Sequence, residues 1–317
     1  MKNKLIYNPT YDHLSDVEIK ILAELGDAIR SYVRKTPQVN NINYKTRDVH
    51  ATTYGALKGK ILFDNQIINE GLFPQEELDV LLRISNSHLK LVNGFHLPAF
   101  GLALKILKGN ETWANYPLVN FPLFPFTNVK HFLKVFIHIN GLYSQKGLKK
   151  LNHLLGLNYH LIASLPAMMY KDLFKHGFIL FKNRNKFIMH FDYHSIGVYR
   201  WGNHLIKIKL KPISEVGEYS SIEEFMKVNK AYHVDLYIQF AYNEKKQPIN
   251  RLNKEWTNSP FIKVGKIICD ELLDPLSADV EALSFNPFES KENLRPVGRI
   301  QKLRDYAYQS SLKARQS

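Results

Sequence analysis

The hydrophobic positions divide the chain into helical and alternating stretches. Val17, Ile21, Leu25, Ala28, Ile29 and Tyr32 recur at helical spacing behind Ser15 and Glu18, which read as a capping box. An amphipathic helix with a packing role is therefore predicted over 15–34. Residues 47–64 are rich in β-formers and small residues and predict a strand; 81–85 and 98–105 predict two more. From Trp113 to Phe126, Pro117, Pro122 and Pro125 argue against both helix and central strand, so an aromatic-rich loop is expected there. Residues 128–175 are helical in pattern, with breaks expected near Gly141, Gly147 and Gly156. Residues 203–210 alternate like a half-exposed strand. Ser221 and Glu224 cap a short helix, after which Val234, Leu236, Ile238 and Phe240 alternate again. A polar turn at 243–247 leads to a further strand near 263–269, and a helix opens after Arg295.

Composition narrows the class. A chain of 317 residues with 45% hydrophobic content can bury one large core or two smaller ones, and 12% aromatic residues exclude a disordered chain. Cys269 is the single cysteine, so no intramolecular disulfide forms and a reducing compartment is expected. The N-terminus lacks the apolar run of a signal peptide, and no apolar run approaches the ~20 residues of a membrane span. The expectation is a soluble, cytoplasmic protein with no transmembrane segment. A formal charge of +14 is compatible with nucleic acid, an anionic membrane surface or acidic ligands. The basic residues are spread, with small clusters at Lys146, Lys149 and Lys150 and at Lys207, Lys209 and Lys211. Without a helix-turn-helix, zinc-finger or RNP signature, nucleic acid is not expected.

Three groups carry candidate chemistry. Arg304 and Tyr308 stand four apart on the predicted terminal helix, and Arg315 falls two turns further on the same face. Guanidiniums beside a phenol favour its phenolate, a hard anionic ligand. His50 follows Arg47 by three, and a neutral imidazole can take a proton from one atom and return it to another. The remaining histidines are weaker metal candidates. His131 and His138, like His153 and His160, are seven apart, too far on one helix for a shared ion. His190 and His194 lie in a β-rich stretch, where residues four apart are separated by ~13 Å, so a zinc site is rejected.

Arg304-x-x-x-Tyr308 followed by Arg315 resembles the haem-ligating helix of the catalase superfamily. Other segments follow in the family's order. Arg47-Asp-Val49-His50-Ala with Gly55-Ala56 resembles the distal-histidine strand. Arg83-Ile-Ser85 and Pro98–Lys105 resemble the next strands, with Phe100 where the family usually has arginine. Asn120-Phe-Pro122-Leu-Phe124 resembles the distal asparagine loop, and Lys207 to Pro212 a barrel strand. Phe285-Asn-Pro287 and Arg295-Pro-Val-Gly298 lead into the final helix, so the resemblance covers about 44–315. It implies an α+β fold, an antiparallel β-barrel of catalase type with surrounding α-helices. A single haem domain over 1–317 is implied, with an N-terminal helix at 15–34, a barrel core at 44–270 and a proximal segment at 285–317. The long wrapping and C-terminal helical regions of full-length catalases, and their bound NADPH, are not expected.

The resemblance also implies ferric haem b, with Tyr308 as iron ligand and Arg304 holding it ionised. His50 would move the peroxide proton and Asn120 would orient the outer oxygen. Arg47, Arg83 and Arg315 would pair with the propionates, and Val49 and Phe124 would line the cavity. Tyr306 is expected to pack against the barrel. The implied activity is that of a haem peroxidase or catalase-like enzyme acting on hydrogen peroxide or organic hydroperoxides, with an unknown electron donor. Two alternatives stay open. One is a fatty-acid hydroperoxide isomerase or lyase of the allene oxide synthase type, although a threonine usually precedes the distal histidine there, where this chain has Val49. The other is a haem-binding protein without turnover. A homodimer is one option for its assembly.

Overall fold

The computed structural model describes residues 3–65, 67, 70–91, 98–213, 217–275 and 277–316. Its centre is a closed ring of eight antiparallel strands. In chain order these are β1 (Thr53–Phe63), β2 (Glu77–Asn86), β3 (Phe100–Lys108), β4 (Glu111–Val119), β5 (Tyr193–His194), then β7 (His204–Pro212), β8 (Tyr232–Phe240) and β9 (Phe261–Leu273). β1 pairs with both β2 and β9, and β7 with β8 from Ile206↔Phe240 to Pro212↔Val234, which closes the ring. β6 (Val198–Trp201) and β10 (Pro296–Val297) form a side ribbon on β7. Alternation of buried and half-buried positions, as along β8, sends Leu57, Val80, Leu82, Leu104, Ile208 and Leu236 into one apolar interior. At the bulge in β1, Gly59 lies so close to β9 that a Cβ would sit 2.1 Å from the Ile268 carbonyl oxygen, so only glycine fits.

Helices cover one flank. α1 (Asp16–Asn40) starts at the predicted capping box: Ser15 Oγ accepts from the Glu18 backbone N–H, and the Glu18 carboxylate accepts from Ser15 N at 2.8 Å. It runs past the predicted end at 34 and through Pro37. Proline supplies no N–H there, but the Thr36 hydroxyl donates to the Val33 carbonyl at 2.8 Å, which satisfies the freed acceptor. α1 packs on α2 (Val129–Ser144) and on the terminal helix α7 (Arg299–Gln316) through Ile21, Leu25, Ile29, Leu133, Ile300 and Leu303. α3 (Gly147–Met168) packs on α2 and is followed by α4 (Lys171–Lys182); α5 (Ile222–Asn229) and α6 (Ala278–Ala282) are short. Among the described residues, no helix is long and apolar enough to cross a membrane.

Three local expectations are corrected. β4 occupies much of the predicted loop, and irregular chain begins only at Asn120. Pro117 is tolerated because β4 pairs along its length with β3 but meets β5 only at Val119↔His194, so the missing N–H breaks no second ladder. The predicted strand over 47–64 begins at Thr53; residues 47–52 are irregular, and His50 has φ 58°, a left-handed conformation no strand accepts. Gly141 and Gly156 lie inside helices. A Cβ at either would come within 2.4 Å of the His153 or His138 ring, so these glycines permit close approach of α2 and α3. The four histidines pair across this contact: Nδ1 of His131 is 2.9 Å from Nδ1 of His160, and Nδ1 of His138 is 3.1 Å from Nδ1 of His153.

Candidate functional site

The helical flank and the barrel enclose a cavity of about 270 Å³. α7 forms one wall, with Gln301, Arg304, Tyr308, Ser311 and Arg315 on its inner side, as helical spacing requires. Arg304 Nη2 lies 3.3 Å from the Tyr308 hydroxyl, and Nη1 donates to Gln301 Oε1 at 2.7 Å. Burial alone would lower the Arg304 pKa; Tyr308 and Tyr199 outweigh it and hold the guanidinium above its ordinary value. Tyr306 turns away and is exposed. It packs on α1 at Gly26, not on the barrel as expected: a Cβ on Gly26 would stand 2.5 Å from its ring.

The opposite wall comes from the segment before β1 and from β2 and β3. The His50 carbonyl accepts from Arg83 Nη2 at 2.8 Å, and its ring Nδ1 lies 3.1 Å from Ser85 Oγ. The ring rests on the bare backbone of Gly101, where a Cβ would be 2.5 Å from Cε1. Burial, and then the Arg83 charge, push the His50 pKa down to about 3, so the imidazole is neutral at physiological pH. A non-glycine residue at φ 58° costs of order 1–3 kcal/mol, a cost tolerated where position matters.

At one edge three arginines converge. Arg83, only 4% exposed, donates to Thr53 Oγ1 at 2.7 Å. Arg47 donates to the carbonyls of Glu281 and Leu283 at 3.1 and 3.2 Å, and Arg315 to the Glu281 carbonyl at 2.6 Å. The Glu281 carboxylate stands 3.8 Å from Arg47 Nε and 3.9 Å from Arg83 Nη2. The nearby Asp48 carboxyl is pushed up by burial, against the pull of Ser311 and Arg315. Among the described residues, the Nε atoms of Arg47, Arg83 and Arg315 find no hydrogen-bond partner and are buried. Burial followed by mutual repulsion lowers the pKa of Arg83 well below its ordinary value and that of Arg315 to about 10. Donors without a described partner and surplus positive charge suit this edge to anionic groups.

The structure therefore brings together Arg47, Val49, His50, Arg83, Phe124, Arg304, Tyr308 and Arg315 around one cavity. Phe124 stands edge-on to Phe132 at 5.0 Å between ring centres, within the apolar part of the wall. Asn120 is not part of the lining. Its Oδ1 accepts from Phe100 N at 2.9 Å and its Nδ2 donates to the Pro98 carbonyl at 2.7 Å, so its amide anchors the start of β3. Sequence reasoning gave no role to Ser85, Gly101 or Glu281. Ser85 was within reach, because it lies two residues beyond Arg83 and shares its strand face. Glu281 gave no signal, since only the folded chain carries it to Arg47 and Arg83.

No family model and no curated protein matches the chain. Its fold does match solved structures. A fungal catalase aligns with TM-score 0.65 at 17% identity, covering 86% of this chain and 59% of its own. Catalase A from Saccharomyces cerevisiae aligns with TM-score 0.63 at 17% identity, covering 86% and 62%. A bacterial catalase aligns with TM-score 0.64 at 16% identity, covering 99% and 63%. The chain has a catalase-like fold and spans about six-tenths of the length of these structures.

Proposed function

We propose that this cavity holds haem b and that the chain is a haem-dependent oxidoreductase acting on peroxides, with residues 1–317 working as one haem domain. The observation that carries the proposal is a neutral, backbone-strained His50 sharing a cavity with the Arg304–Tyr308 pair and a cluster of partnerless guanidinium nitrogens. These residues fit the cofactor. Tyr308 would bind the iron, with the Arg304 guanidinium donating to its hydroxyl oxygen at 3.3 Å. Arg47, Arg83 and Arg315 would receive the two propionates through the Nε atoms that lack partners. No group of three or more His, Cys, Asp or Glu side chains among the described residues could hold a metal ion, and a tyrosine ligand falls outside that set.

When bound, ferric haem supplies the redox centre at which a peroxide O–O bond is cleaved. The protein's own contribution is the movement of a proton. Ser85 engages His50 Nδ1, leaving Nε2 to take a proton from one peroxide oxygen and return it to the other. The depressed pKa keeps the imidazole neutral at neutral pH, and in the tautomer whose Nδ1–H donates to Ser85 Oγ the Nε2 lone pair is free to accept. Leu25, Ile29, Phe124, Phe132 and Phe136 make the adjoining wall apolar and limit water. Asn120 has no part in this mechanism, because its amide is already engaged.

The apolar wall favours organic hydroperoxides over hydrogen peroxide as substrates. It equally suits an isomerase or lyase acting on a fatty-acid hydroperoxide. An absorption spectrum of the purified holoprotein followed by a peroxide panel tests the proposal. Donor oxidation driven by an organic hydroperoxide is the expected result. Hydroperoxide conversion without a donor establishes the isomerase or lyase reading. A protein that takes up no haem overturns both.

A further inference from the structure

α3 and α4 are built with their polarity reversed. α3 has two buried residues, His160 and Ser164, and both are polar. Its exposed face carries Leu148, Leu155, Tyr159 and Ile162, each at least 60% exposed and spaced as one helical stripe. α4 buries only Leu173 and presents Phe174, Phe178 and Phe181 at i, i+4 and i+7, all more than 60% exposed. A face of this size left in water is a binding surface or a liability.

Charge identifies what covers it. Residues 146–186 contain eight lysines and arginines and a single carboxylate, Asp172, which accepts the Glu255 backbone N–H. Lys146, Lys149 and Lys150 are exposed at the start of α3, and Lys171, Lys182 and Arg184 flank the phenylalanines of α4. We propose that α3 and α4 dock the protein on the surface of an anionic lipid bilayer, their apolar stripes entering the interface and their cations meeting the headgroups. This is the pattern of a helix that lies on a membrane, and neither helix is apolar enough to span one. A second copy of the chain is a poorer occupant, because an isologous contact would set this basic segment against itself. α2, which packs against α3, carries Phe132 and Phe136 of the cavity wall, so docking brings that wall within one helix of the lipid.

Flotation of the 317-residue chain with vesicles of phosphatidylcholine, with and without phosphatidylglycerol, tests the proposal, with size-exclusion chromatography alongside. The expected result is binding to the anionic vesicles only, weakened by salt. Lys146→Gln/Lys149→Gln/Lys150→Gln should weaken it about 10²-fold, each basic residue contributing about five-fold at such a surface. Tyr159→Ser/Phe178→Ser should abolish it. All these positions are exposed, so unchanged circular dichroism is expected for both variants. Absence of flotation, equal flotation with pure phosphatidylcholine, or a dimer that Tyr159→Ser/Phe178→Ser converts to monomer would each overturn the proposal. The test does not depend on haem or on catalytic activity.

Discussion

Replacing Gly101 with alanine tests how the distal wall works, because the structure fixes what the added methyl group would meet. The new Cβ would lie 2.5 Å from His50 Cε1, 2.6 Å from Nδ1 and 3.2 Å from Ser85 Oγ. Ordinary carbon contacts are about 3.5–4.0 Å, so something must retreat by about 1 Å. Gly101 cannot, because it is laddered on both sides, opposite Ser85 in β2 and Val119 in β4. The imidazole is the movable group. A shift of that size carries the 3.1 Å contact with Ser85 beyond hydrogen-bonding range. Overpacking should cost about 1–3 kcal/mol of stability. A misplacement of about 1 Å should slow the reaction with peroxide roughly 10²-fold. Haem uptake should be unchanged, since no ligand or arginine moves. Urea unfolding, haem titration and stopped-flow mixing with peroxide give the three quantities. Ser85→Ala is the control: it removes the hydrogen bond without the push and should give a smaller rate loss. A Gly101→Ala protein that loses stability but reacts with peroxide at the original rate would show that His50 is not the group moving the proton.

Other expectations follow from the same geometry. His50→Ala should bind haem but react with peroxide about 10²–10⁴-fold more slowly, by stopped-flow spectroscopy. Tyr308→Phe should lose the iron–phenolate signal in resonance Raman spectra and bind haem weakly, whereas Tyr306→Phe, altering an exposed ring of α7 that packs on α1 at Gly26, should keep both. Arg315→Ala should weaken haem uptake, measured by titration of the apoprotein, with the iron–phenolate signal retained. The α2–α3 histidines should make the fold acid-sensitive. Burial, then His153 and His160, lower the His138 pKa from the ordinary 6.5 to about 4, and His153 and His160 shift the same way. Between those values the unfolded chain binds more protons, so this contribution is fully present above about 6.5 and is lost as pH falls toward about 4. Urea midpoints at a series of pH values should fall less steeply for His138→Gln than for the parent.

What the sequence determined by itself is everything that depends on neighbours along the chain. The capping box set the start of α1, because Ser15 and Glu18 meet each other within one turn. The spacing of Arg304, Tyr308 and Arg315 put them on one face of α7, and alternation sent Val234, Leu236 and Ile238 inward. The motif order was enough to expect a barrel with helices outside and His50 opposite Tyr308. Contacts between distant segments were decided only by the tertiary structure. Pro117 sits in a strand because β4 is nearly unpaired on one side, which no local rule can report. Gly141 and Gly156 read as helix breakers, yet they serve as close-packing sites for histidines of the facing helix. His50 takes a left-handed backbone and Asn120 spends its amide on the start of β3; both follow from what packs around them. Glu281 joins Arg47 and Arg83 only when α6 folds back beside the segment preceding β1. Periodicity reports which face of an element is apolar. What that face meets is a property of the assembled chain, and the outward stripes of α3 and α4 show how far the two can differ.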